Sequence, residues 1–137
     1  MKAIATHHLL SVWIILMSAI FVLGGIGTAT AFTASDRIAC WNNWNTNFYF
    51  MPATNQAYYI VLQGTNAPTS FWQTAEEIEI AEDAQDTNRV NLLCAGFLQI
   101  NGTDWSWNSY NDDLEWASIA FVRAAQMTGN ASYLLYS

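Results

Sequence analysis

The sequence predicts an all-α chain, on three observations. Apolar residues recur at three- and four-residue spacing in successive segments, helix-capping residues separate those segments, and no segment carries a strong strand-type alternation. With 137 residues, 53% of them hydrophobic and 11% charged, the chain suits one small globular domain at most. Eleven Asp+Glu against four Lys+Arg, a formal charge of -7, leave too little cationic surface for a phosphate backbone. Nucleic-acid binding is excluded on that ground.

Residues Leu9 to Gly27 carry no charge, follow a short start with Lys2, and lead to Ala29-Thr30-Ala31. The pattern is that of a signal peptide over residues 1–31 with cleavage after Ala31, and the rival is an uncleaved signal anchor. Secretion or a cell-wall location follows from cleavage, and membrane association only from its failure. Lys2, His7 and His8 are the only lysine and histidines. The mature part therefore has no Ser-His-Asp triad, no His-ligated zinc and no Schiff-base lysine within the chain. No cofactor and no metal are expected; carboxylates, tyrosines and two cysteines remain for chemistry.

Within 32–137, Ser35 can cap a first helix bearing Ile38, Trp41, Trp44 and Phe48, ending near Met51-Pro52. The stretch from Tyr58 through Leu62 to Gly64 fits a short strand or an extended connection, and reads as a long loop. A second helix is expected from Phe71 to Asp86, with Glu76, Glu79, Asp83 and Asp86 on one stripe. That stripe is either a solvated acidic face or a sugar- or cation-facing groove, and no basic residue within the segment pairs with it. A third helix carries Val90, Leu93, Cys94, Phe97 and Leu98 and stops at Asn101-Gly102.

The loop from Asp104 to Tyr110 places Trp105, Trp107 and Tyr110 among polar residues, as a local core cluster or a stacking platform. The fourth helix, Asp112 to Thr128, is apolar on nearly every side and should be buried by its neighbours. Asp112 and Asp113 open it. Asp112 with Glu115 resembles a capping box, which explains those acids without any catalysis. Cys40 and Cys94 form one disulfide or stay as free thiols. Asn101-Gly102-Thr103 and Asn130-Ala131-Ser132 are glycosylation sequons.

Tyr110-Asn111-Asp112-Asp113, followed by Trp116, Ala117, Ile119, Ala120, Ala124, Thr128-Gly129 and Tyr133-Leu134, resembles the catalytic-helix signature of glycoside hydrolase family 76, the endo-α-1,6-mannanases. Upstream, Phe71-Trp72-Gln73-Thr74-Ala75-Glu76 with Ile78, Glu79 and Glu82-Asp83-Ala84 is similar to that family's Trp-Gln-x-Ala-Glu helix. The resemblance implies an (α/α)6 barrel of helical hairpins, of which this chain holds an incomplete N-terminal part. It also implies retaining cleavage of α-1,6-linked mannan, with Asp112 as nucleophile and Asp113 as acid/base. Trp72, Gln73, Glu76, Trp105, Trp107 and Tyr110 are the expected substrate-binding residues. A non-catalytic, sugar-binding or cell-wall protein derived from such an enzyme is the alternative. Twelve helices of about 11 to 12 residues need far more chain than this, so the fragment should expose apolar surface and lack activity.

Overall fold

A computed structural model describes residues 32–136. The signal-peptide and anchor readings for 1–31 lie outside the described residues. The chain divides into two compact units, Met1–Arg37 and Ile38–Ser137. In the first, Thr33 and Asp36 form a reciprocal cap: the Thr33 N–H and Oγ1 donate to Asp36 Oδ2 at 2.8 and 2.6 Å, and the Asp36 N–H donates to Thr33 Oγ1 at 3.2 Å. Helix α1, Ala34–Phe48, thus starts on Thr33 and not on Ser35.

The first correction to the all-α expectation follows α1. Strands β1 (Tyr49–Ala53) and β2 (Gln56–Tyr59) pair antiparallel, with Tyr49 opposite Tyr59 and Phe50 opposite Tyr58. Aromatic cross-strand pairs favour a pleated surface, and the Phe50–Tyr58 rings lie 5.4 Å apart. Pro52 does not end the helix. It sits in a two-stranded edge position, where a missing N–H costs no ladder bond in a wider sheet. The chain is therefore mostly helical with one small sheet.

Helix α2 spans Phe71–Asp83. The Ser70 N–H and hydroxyl both donate to Gln73 Oε1, at 3.1 and 2.8 Å, which closes its first turn. It ends three residues short of Asp86 because Gln85 takes a left-handed φ of 58°. Asp86 instead caps α3, Thr87–Asn101, accepting the Arg89 N–H at 3.0 Å. Gly102 follows α3, as expected. Helix α4, Asn111–Thr128, stops at Gly129 in the left-handed conformation, and a 3₁₀ segment, Ala131–Tyr136, folds back on it.

Helices α2, α3 and α4 pack on one another, and α3 also covers β2. Phe97 stands at the centre, 4.9 Å from the Phe71 ring, 5.3 Å from Trp105 and 5.4 Å from Phe121. Gly96 lets α3 approach the hairpin, since a Cβ there would lie 1.8 Å from the Ala57 carbonyl oxygen. Helix α4 is not covered on all sides: Ala117, Ala120, Phe121, Ala124 and Ala125 are buried, whereas Trp116 and Ile119 are exposed. No helix among the described residues is long and apolar enough to cross a membrane.

Candidate functional site

The two aspartates lie in the first turn of α4, beside the aromatic loop. Neither caps the helix. Tyr110 occupies the N-cap position with no side-chain cap bond, so the Asp112–Glu115 capping box does not form. Both acidic side chains lie in the turn at the positive end of the helix dipole. Asp112 is exposed and Asp113 half-buried. Asp113 Oδ2 accepts a hydrogen bond from Asn108 Nδ2 at 3.0 Å, and Asn108 is itself buried. Sequence reading missed Asn108; an asparagine in a turn-rich loop just before a helix is the one signal that could have found it.

The loop's aromatic residues separate into two kinds. Trp105 packs inward, touching Phe71, Phe97, Phe121 and Tyr136, and its Nε1 donates to the Gly102 carbonyl at 2.9 Å. It is half-buried and packs one side against the core. Trp107 and Tyr110 are 60% and 67% exposed, and Trp107 is braced edge-on against Phe71 at 5.6 Å. These two present ring surface to solvent from the loop that leads into the first turn of α4.

Trp72, Gln73 and Glu76 come together elsewhere, in an open cleft of about 370 Å³ between the end of α1, the segment after β2 and the outer side of α2. Trp44 forms part of its opposite wall. The Trp44 ring meets Tyr59 edge-on at 5.4 Å, and the Tyr59 hydroxyl donates to Asn45 Oδ1 at 2.5 Å. Glu77 lies at the cleft's buried side, where Thr69 Oγ1 donates to its Oε2 at 3.0 Å. Burial pushes the Glu77 carboxyl up to about 8, against that hydrogen bond, which opposes the shift. Trp44, Tyr59 and Glu77 were not among the expected site residues, because Trp44 of α1 and Tyr59 of β2 meet the α2 residue Glu77 only in the folded chain.

The acidic stripe of α2 is divided among three environments. Glu76 lines the cleft, and Asp86 caps α3 and pairs with Arg89 at 3.4 Å. Glu79 and Asp83, with the buried Glu82, surround Arg123 of α4. A base absent from the local sequence is thus supplied across the fold. Desolvation pushes the Glu82 carboxyl up to about 8, with Arg123 opposing.

Cys40 and Cys94 are free thiols, and the disulfide alternative is corrected accordingly: Cys40 is exposed on α1, while Cys94 is buried in α3. Burial raises the Cys94 thiol far above its ordinary range, which makes it inert. Of the two sequons, Asn130 is exposed, its Oδ1 accepting from the Ser132 hydroxyl at 2.7 Å. The Asn101 amide nitrogen is buried without a hydrogen-bond partner at the end of α3. Among the described residues no group of three or more His, Cys, Asp or Glu side chains is arranged to hold a metal ion.

No family model, curated protein or solved structure matches this chain. Chemically, the site offers adjacent carboxylates preceded by a loop with two exposed rings, and a separate aromatic cleft with amide and acid groups.

Proposed function

We propose that this chain carries the catalytic helix of a secreted or cell-wall glycoside hydrolase acting on α-1,6-linked mannan with retention, as the N-terminal part of an (α/α)6 barrel. The observation that supports this reading is the Asp112–Asp113 pair in the first turn of α4, entered from a loop that exposes the rings of Trp107 and Tyr110. Retaining glycosidases use two carboxyls about 5 to 5.5 Å apart. Asp112 attacks the anomeric carbon while Asp113 protonates the departing glycosidic oxygen; Asp113 then takes a proton from the water that releases the sugar. The cleft of Trp44, Trp72, Gln73 and Glu76 supplies ring faces and polar groups of the kind that hold a pyranose.

Holding the substrate in attacking geometry is worth about 7 to 11 kcal/mol, and this depends on a full groove. The chain is expected to bind α-1,6-mannan oligomers. The test is reducing-sugar release from α-1,6-mannan by the chain joined to the C-terminal portion of a family member. Asp112→Asn and Asp113→Asn should each lower it by about a hundredfold or more. Unchanged turnover in either variant would overturn the pair's role. Binding with no turnover in the extended form would instead select the non-catalytic sugar-binding protein.

A further inference from the structure

Asn108 is 8% exposed, and the two ends of its amide serve different partners. Its Oδ1 accepts the Tyr110 N–H at 3.0 Å, and its Nδ2 donates to Asp113 Oδ2 at 3.0 Å. The orientation is dictated by chemistry: a backbone N–H can be met only by the amide oxygen, which turns the NH₂ group to the carboxylate. The Asn108 N–H donates to the Trp105 carbonyl at 2.9 Å, so main chain and side chain are both held. In a capping box the side chain three residues into the helix accepts the N-cap N–H directly. Here that link passes through Asn108, from Tyr110 to Asp113.

Resting on the glycosidase reading above, we infer that Asn108 is a positioning residue that selects the acting oxygen of Asp113. Oδ2 already faces an N–H donor, and an O–H in that direction would set donor against donor. The exchangeable proton therefore sits on Oδ1. In the first step it passes from Oδ1 to the glycosidic oxygen as that C–O bond breaks and an Asp112 carboxylate oxygen bonds the anomeric carbon. In the second, Oδ1 takes a proton from water as the water oxygen bonds that carbon and the ester to Asp112 breaks. Both side chains return to their starting states.

Two measurements test this. In NMR spectra of the 137-residue chain, the Asn108 side-chain NH₂ resonances should move as a carboxyl titrates. That response should vanish in Asp113→Asn and persist in Asp112→Asn; indifference to Asp113→Asn overturns the clamp whether or not mannan is cleaved. In the extended form, Asn108→Ala should lose about tenfold more activity on mannan than on an aryl α-mannoside whose phenolate departs without protonation, because only mannan needs the acid. Equal losses on both substrates would reduce Asn108 to a helix cap and overturn the positioning role, with the glycosidase reading intact. An unaltered extended form that cleaves neither substrate would remove the glycosidase reading, and the positioning role with it.

Discussion

Arg123 Nη1 of α4 donates to Glu79 Oε2 of α2 at 2.6 Å, and the same guanidinium stands 3.0 Å from the buried Glu82 while also bonding Asp83. One cation thus ties two helices together along a line of three acids. Removing it leaves Glu79 and Asp83 without their cation beside the desolvated Glu82. Arg123 is 37% exposed, so solvent screening reduces the effect. Arg123→Met should cost about 1 to 3 kcal/mol in urea unfolding, and Glu82→Gln about 1 kcal/mol or less in either direction. The reverse ranking would show that the guanidinium does not hold this face.

Stability should fall as pH rises from about 4.5 to about 8. Glu77 and Glu82 are both raised from 4.5 to about 8. In that window the unfolded chain gives up these protons and the folded chain keeps them, so the unfolded state binds fewer protons and loses relative cost. Stability therefore declines as pH rises through this window. A thermal-melting series across pH should show the decline, and Glu77→Gln should flatten part of it. A melting temperature that rises through this window would contradict the burial of both acids.

Gly96→Ala should destabilise the fold strongly. The added Cβ would meet the Ala57 carbonyl oxygen at 1.8 Å, and a backbone atom cannot rotate away as a side chain can. Separating α3 from the hairpin should cost about 3 kcal/mol, the upper range for overpacking. Circular dichroism with urea titration measures it; a change under about 0.5 kcal/mol would mean that the hairpin does not rest on α3.

Trp105 and Trp107 should respond oppositely to truncation. Trp105→Ala removes a ring in contact with Phe71, Phe97 and Phe121, and should cost about 2 to 4 kcal/mol of stability. Trp107→Ala should change stability by about 1 kcal/mol or less, yet weaken binding of α-1,6-mannan oligomers about tenfold. Calorimetric titration and melting, run on both variants, check the split.

Thiol labelling should distinguish the cysteines. Cys40 is exposed and Cys94 buried, so a thiol reagent should modify one group per chain quickly and the second only on unfolding. Two fast thiols would place Cys94 outside the core, and none would restore the disulfide.

The backbone plan of α3 and α4 was legible from the chain alone. Periodic apolar residues mark both helices, and Asn101-Gly102 and Thr128-Gly129 end them, because a cap is decided by a residue and its near neighbours. The position of Asp112 and Asp113 in the first turn of α4 was legible for the same reason. The hairpin was not: its short aromatic strands depend on pairing with each other and on the gap that Gly96 leaves in α3. Nor could spacing tell Trp105 from Trp107, since both occupy one loop and differ only in whether the ring turns toward Phe97. The acids of α2 looked unpaired because their cation, Arg123, stands 44 residues beyond Glu79. By itself the sequence determined where α3 and α4 stop and which residue types are available for chemistry, since dihedral preference and glycine caps act over a few residues. Only the tertiary structure decided which rings face water, which carboxyls are desolvated and which residue orients Asp113, because burial and pairing depend on what distant segments bring to the same place.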